Sequence, residues 1–266
     1  MSLWTEYWQK PDDKALLRVY ADALEQAGDP RGKFIQLSML EARTPAQEAA
    51  RAALQKTTKG ALIGPAKDFV REVYFGPDGL VSNVRTEADK VIAGIAELGR
   101  LNPRLILTIT SMKTEKLAKE FGKISLADIY FVDFGWLTSS HGGCRITDKL
   151  LAAMTPAFTG VRHLQLSISM ADNSVTPAGL RAFAPHAKQL RFIAGDHYIG
   201  GTCAPPAVYA AALREFPALE AVEWPEMPAS ELPGIKVNTL LAASDGNINA
   251  MLREDTAAKV QSLFRS

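Results

Sequence analysis

Four side chains in two loops have the types that bind a tetrahedral metal. They are His141 and Cys144 in Gly135-Trp136-Leu137-Thr138-Ser139-Ser140-His141-Gly142-Gly143-Cys144, and His197 and Cys203 in Gly195-Asp196-His197-Tyr198-Ile199-Gly200-Gly201-Thr202-Cys203. Two imidazoles and two thiolates suit zinc. Their spacings are His-x2-Cys and His-x5-Cys, and neither is the Cys-x-x-Cys of a structural zinc knuckle. The same residues would also serve a hydrolase or a metal enzyme built in the loops. Other chemistry leaves fewer traces. There is no Gly-x-Ser-x-Gly elbow, no His-Glu-x-x-His, no Gly-x-Gly-x-x-Gly and no EF-hand spacing. His163 and His186 fall beside strand-like stretches and read as structural. Gly28-Asp29-Pro30-Arg31-Gly32-Lys33 ends in Gly-Lys but has three residues between its glycines and Phe34 after the lysine. A phosphate loop needs four residues there and a hydroxyl residue next. The expectation is a non-catalytic protein that needs no cofactor.

Composition points the same way. The 266 residues are 47% hydrophobic and 22% charged, with a formal net charge of +1. That balance gives no one-sign field for nucleic acid or an anionic membrane. No apolar run approaches the ~18 residues of a membrane span. The opening MSLWTEYWQKPDDK lacks a basic region, an apolar core and a cleavage site, so it does not read as a signal peptide. Two cysteines are too few for a disulfide framework. A cytoplasmic location is the expectation, with Cys144 and Cys203 free to stay reduced, pair or bind metal.

The elements that would position any site start with helices. In residues 12–27, Leu16, Leu17, Tyr20, Ala21, Leu24 and Ala27 recur at helical spacing. Asp12 and Asp13 suit the positive end of the helix dipole. Gly28 supplies a left-handed stop, Asp29 caps the next helix and Pro30 takes its first position. Thr44-Pro45-Ala46-Gln47 has the form of a capping box opening a third helix.

Further along, strand-like stretches recur at Leu105–Ile109, Ile129–Asp133, Leu164–Ile168, Leu190–Ala194 and Val222–Trp224. Their starts lie 24, 35, 26 and 32 residues apart, about 29 on average. An L-x-x-L-x-L pattern is visible as Val161-x-x-Leu164-x-Leu166, Leu126-x-x-Ile129-x-Phe131 and Leu219-x-x-Val222-x-Trp224. Helix signals lie between, at Thr147 with Leu150, Leu151 and Met154, at Thr176-Pro177 with Leu180 and Phe183, and over Val208–Phe216. Alternation alone also fits a three-layer α/β domain. The period and the Asn173-x-Val175-Thr176-x-x-Gly179 turn favour stacked repeats, with parallel strands on one face and helices on the other.

The stretch Leu17-Arg18-Val19-Tyr20-Ala21-Asp22-Ala23-Leu24-Glu25, with Gly28-Asp29-Pro30-Arg31-Gly32-Lys33-Phe34-Ile35-Gln36-Leu37, resembles the bacterial repeat-companion domain. Ala23 stands where that family usually has Trp, and Lys33 where it has Glu. Gly79-Leu80-Val81-Ser82-Asn83-Val84 and Asn102-Pro103-Arg104-Leu105-Ile106-Leu107-Thr108 are similar to its later segments. The resemblance implies that leucine-rich repeats follow, and it carries over no catalytic residue.

The expected architecture is therefore an α/β leucine-rich-repeat-like solenoid. Residues 1–64 form a helical cap, 65–104 an αβ transition, 105–235 irregular repeats and 236–266 a C-terminal helical cap. That cap carries Ile248, Met251, Leu252, Val260, Leu263 and Phe264 on helical faces. Aligning the strands places Ile106, Tyr130, Gln165, Arg191 and Glu223 in one outward ladder, and Thr108, Val132, Ser167, Ile193 and Pro225 in the next, with rungs about 4.8 Å apart. The two long loops add Trp136 and Tyr198 on a rim. Aromatic, amide, cation and anion in one strip suit a specific protein partner. The acidic residues of Glu220–Glu231 suit a basic one. An immunity or inhibitor protein that neutralises a toxin or enzyme is the neighbouring alternative.

Overall fold

The computed structural model describes residues 2–11, 13–134, 144, 146–168, 175–197, 204–224 and 227–238. The N-terminal part is helical: α1 (Leu3–Gln9), α2 (Lys14–Gln26), α3 (Pro30–Ser38) and α4 (Pro45–Ile63). Local chemistry sets their ends. The Asp13 side chain accepts from the Leu16 amide at the start of α2, and Asp29 accepts from the Arg31 amide at the start of α3. Thr44 and Gln47 form the full capping box of α4. Gly28 takes φ 75° between α2 and α3. At Gly32 the two helices nearly touch, because a Cβ there would lie 2.4 Å from the Ala21 carbonyl oxygen.

These contacts explain the Gly-Asp-Pro-Arg-Gly string without a phosphate. Arg31 chelates Asp29, which holds the Asp29 carboxyl below its ordinary pKa through the guanidinium hydrogen bond. Lys33 sits 3.6 Å from Glu25 on the surface. Helix α1 precedes the first helix that the apolar spacing marks. It is short, and it is fixed by rings: Trp4 lies 5.2 Å from Tyr20 and 5.7 Å from Tyr7.

A 3-10 turn at Gly64–Phe69 leads into a hairpin of β1 (Glu72–Phe75) and β2 (Val81–Thr86). Asp78 accepts from the Leu80 amide in its turn, and Gly79 takes φ 78°. Phe34 meets Phe75 edge-on at 5.6 Å, tying α3 to the hairpin. Strands and helices then alternate: α5 (Ala88–Leu98), β3 (Ile106–Ile109), α6 (Glu115–Phe121), β4 (Phe131–Asp133), α7 (Asp148–Met154), β5 (His163–Ile168), α8 (Pro177–Phe183), β6 (Phe192–His197), α9 (Pro206–Leu213), β7 (Ala221–Glu223) and β8 (Lys236–Asn238).

Among the described residues, β1 to β8 join one sheet in chain order. After the antiparallel β1–β2 pair every neighbouring pair is parallel. A parallel neighbour needs a crossover, and α5 to α9 supply it for β2 through β7. Each of these helices packs on the next in sequence. The protein is thus α/β with a mostly parallel sheet. The segment read as a C-terminal cap opens with β8, at the sheet edge. Residues 239–266, the rest of that segment, lie outside the described residues.

The main core lies between strands and helices. Leu107, Val132, Leu164, Ile193 and Val222 meet Val91, Phe121, Leu151, Leu180 and Leu213 there, all at most 1% exposed. Phenylalanine rings run through successive units, with Phe134–Phe158, Phe158–Phe183 and Phe183–Phe216 centroids 5.8, 5.4 and 5.9 Å apart. Each Phe buries a large apolar area against the next unit, tilted at Phe134–Phe158 and edge-on at the other two contacts. Thr114, Thr147 and Thr176 cap α6, α7 and α8 in the same way, accepting from the amide three residues on.

Candidate functional site: the sheet face away from the helices

The two sides of the sheet carry different side chains. Ile106, Phe131, Phe192, Ala194 and Ala221, with Tyr130 against them, form a cluster separate from the main core. Among the described residues no helix contributes to it. Register places these residues in two rows on the face turned away from the helices.

The first row is aromatic and apolar. Tyr74 pairs with Asn83, Asn83 with Ile106 and Ile106 with Phe131. Val132 pairs with Leu164, which sets Phe131 beside His163, and their rings stack at 6.5 Å. His163 pairs with Phe192, Phe192 with Ala221 and Ala221 with Lys236. The second row is polar. Glu72 pairs with Arg85, Arg85 with Thr108 and Thr108 with Asp133. It continues through Gln165, Ala194 and Glu223.

This register corrects the expected ladders. Tyr130 and Arg191 precede β4 and β6, and the residues that occupy the outward row are Phe131 and Phe192. Val132 and Ile193 belong to the main core, not to an outward rung. A one-residue slip turns every side chain to the other face. Phe131-Val132 and Phe192-Ile193 are adjacent apolar pairs, so hydrophobicity alone did not show which member faces in. Gln165 and Glu223 do lie outward, in the same row as Thr108. Ser167 belongs to β5, and Pro225 lies outside the described residues.

Charge in the polar row is held by close pairing. The Tyr74 hydroxyl donates to Glu72 at 2.7 Å, and Arg85 lies 3.1 Å from the same carboxylate. The tyrosine bond, more than the guanidinium, lowers the Glu72 pKa. The Thr108 hydroxyl lies 3.0 Å from the Asp133 carboxylate and 3.3 Å from the Asn83 amide oxygen. Asp133 is 8% exposed and Thr108 4%. Asp133, Arg85, Glu72 and Asn83 carried no motif. The only trace of Asp133 in the sequence is one acid inside Phe131-Val132-Asp133-Phe134.

His163 is buried, and its Nδ1 lies 2.7 Å from the Tyr130 carbonyl oxygen. Burial pushes its pKa down to about 4, so the ring is neutral at pH 7 and Nδ1–H donates that bond. Tyr130 packs against the same ring at 4.4 Å. Arg191 reaches Glu220 with two hydrogen bonds of 2.8 and 2.6 Å beside this end of the strands.

The loop residues fare differently. Trp136, His141, Tyr198 and Cys203 lie outside the described residues. His197 ends β6. Cys144 lies in the main core at 1% exposure. Burial, and next the charge of Asp133, push its thiol up to about 12. A thiol held protonated is neither a ready nucleophile nor a ready metal ligand. Among the described residues no three His, Cys, Asp or Glu side chains converge as a metal site, and no helix is long and apolar enough to cross a membrane.

By sequence, no protein-family model and no curated protein matches the chain.

Proposed function

We propose that the chain is a non-catalytic interaction protein, a leucine-rich-repeat-like solenoid that binds a protein partner through the sheet face away from its helices and the adjoining strand-to-helix loops. Chain-order parallel strands, helices that each pack on the next, and repeated threonine caps and phenylalanine contacts support the solenoid. The Gly-Asp-Pro-Arg-Gly corner supports a repeat-companion-like cap, since each of its residues has a structural task. The observation that carries the reading is the pair of rows on one face. A largely aromatic and apolar row beside a polar row that holds Glu72, Arg85, Asp133 and Glu223 combines apolar anchoring with polar discrimination. Half-exposed Tyr74, Asn83, Arg85, Tyr130 and Glu223, with exposed Arg191 and Lys236, ring its buried centre. The neutral Cys144 thiol supports binding over thiol or zinc chemistry. The near-zero net charge supports a protein partner rather than nucleic acid or an anionic membrane.

The test is photo-crosslinking in the native host, with benzoylphenylalanine placed at Arg85 or Glu223 on the face and at Lys116 or Ala182 on the helices. Discrete adducts from the face positions alone are expected. Adducts from the helical positions alone would overturn the reading.

A further inference from the structure

We propose that the cleft between the N-terminal helices and the first strand–helix unit binds a small aromatic carboxylic acid, its carboxylate on Arg31 and Tyr20 and its ring against Trp4. None of the residues that line this cleft belongs to either row of the sheet face. The inference therefore stands apart from the proposed function.

The starting observation is a cavity of about 320 Å³ where two parts of the chain meet. Helices α1, α2 and α3 contribute Trp4, Tyr20 and Arg31 to it. The end of α4, the turn before β2 and the loop after α5 contribute Leu62, Leu80 and Leu101. Junctions of this kind are favoured places for ligand sites, which run from roughly 300 to 1,000 Å³. The volume stands at the small end of that range and suits a molecule of one or two rings. Most of the wall is apolar, and Trp4 supplies an aromatic surface. Its ring lies 5.2 Å from Tyr20 at a tilt of 39°, and both residues are only half-buried. A flat aromatic body gains more against such rings than area burial alone gives.

The polar groups of the cleft select an anion. Arg31 spends Nε and Nη2 on the Asp29 carboxylate, with Nε 2.8 Å from Oδ2. That fork fixes the guanidinium plane and leaves Nη1 over. Tyr20 is close enough for the guanidinium to act on the titration of its hydroxyl. Burial pushes the Tyr20 pKa up, so the hydroxyl keeps its proton at neutral pH and can donate. Among the described residues, Nη1 of Arg31 and the Tyr20 hydroxyl have no hydrogen-bond partner, and both stay open to solvent. A carboxylate, which only accepts, matches two such donors. The remaining charged lining is Glu97 and Arg100, which lie 3.3 Å apart and satisfy each other. The unspent charge is thus the guanidinium edge of Arg31, beside an apolar wall. An amphipathic acid fits both features, whereas an organic cation would meet Nη1 with like charge.

The test is titration calorimetry on the purified full chain with naphthoate and with naphthamide, its neutral isostere. Saturable one-to-one binding of naphthoate is expected, with the amide about tenfold weaker for want of a charged acceptor. Tyr20→Phe keeps the ring and removes one donor, and should weaken naphthoate about tenfold, as the loss of a hydrogen bond to a charged group does. Leu101→Trp fills the cleft from the α5 side and should abolish binding at unchanged circular dichroism. No saturable binding of naphthoate, or equal affinity for the amide, would overturn the proposal. So would naphthoate binding that either variant leaves unchanged. The comparison of acid with amide uses the unaltered chain, so it decides the matter even where a variant fails to fold.

Discussion

The carboxylate of Asp148, the first residue of α7, accepts both the amide and the hydroxyl of Thr176, the cap of α8, at 2.7 and 2.5 Å. One unit thereby fixes the start of the next, 28 residues later. The fit leaves no space beside it. A Cβ on Gly179 would lie well inside contact distance of the Asp148 carboxylate. Asp148→Ala should cost about 1–2 kcal/mol, the range for losing a cap with a charged acceptor. Gly179→Ala should lower the melting temperature as well, since the carboxylate must swing away. Thermal unfolding of both variants checks this; no change in either would deny the staple.

Gly32 makes a comparable prediction in the N-terminal helices. Its missing Cβ lets α3 approach within touching distance of the Ala21 carbonyl and the Glu25 backbone nitrogen, which a Cβ would meet at 2.4 and 2.5 Å. Both are backbone atoms, so they cannot rotate aside. Gly32→Ala should destabilise by about 1–3 kcal/mol, as overpacking does. Denaturant midpoints would show it, and a neutral outcome would mean that α2 and α3 cross more loosely.

Those local devices were readable in sequence because they use neighbours. Asp29 acts on Arg31, two residues on, and Thr44 on Gln47, three residues on. The inward phase of Leu164 and Leu166 is legible because His163, Gln165 and Ser167 flank them. The phase of β4 and β6 was hidden by Phe131-Val132 and Phe192-Ile193, and a three-residue strand such as β4 offers too few alternations to settle it. The polar row was hidden for another reason. Thr108 and Asp133 lie 25 residues apart and meet only through register. Glu72–Phe75 is short and followed by a turn, so β1 and with it Tyr74 and Glu72 left no pattern.

Acid should weaken the fold in two separate windows. His163 titrates near 6.5 when unfolded and about 4 when folded. The folded chain therefore holds fewer protons between those values. Stability is complete above about pH 6.5 and falls as pH drops toward 4, by roughly 3 kcal/mol in all. His163→Gln should flatten that part of the curve. Glu115, bonded first by Lys149 and then by Lys119, is lowered to about 2. Its contribution is present above the unfolded value of 4.5 and is lost as pH falls toward 2. Glu115 is half-exposed and both lysines are exposed, so the second window should be shallow. Chemical unfolding at pH 7, 5 and 4 decides the first window; a flat wild-type profile would contradict the burial of His163.

Cys144 should resist alkylation in the native protein. Its thiol is 1% exposed and protonated at neutral pH, and the thiolate is the reactive form. Iodoacetamide at pH 8 should leave it unmodified, and denaturant should make it react. Mass spectrometry of the Cys144 peptide reads this directly, and rapid native labelling would place the thiol outside the core.

The central claim is that recognition belongs to the face rows and not to the loop histidines. The most direct measurement is partner capture by two full-length variants with matched circular dichroism, using the partner that cross-links to position 85 or 223. Arg85→Glu combined with Glu223→Lys reverses charge at two rungs of the polar row, and should cut capture at least tenfold, about 1.4 kcal/mol. His141→Ala combined with His197→Ala should leave capture within a factor of two of the parent. Capture that survives the charge reversal but is lost with the two histidines would contradict the account.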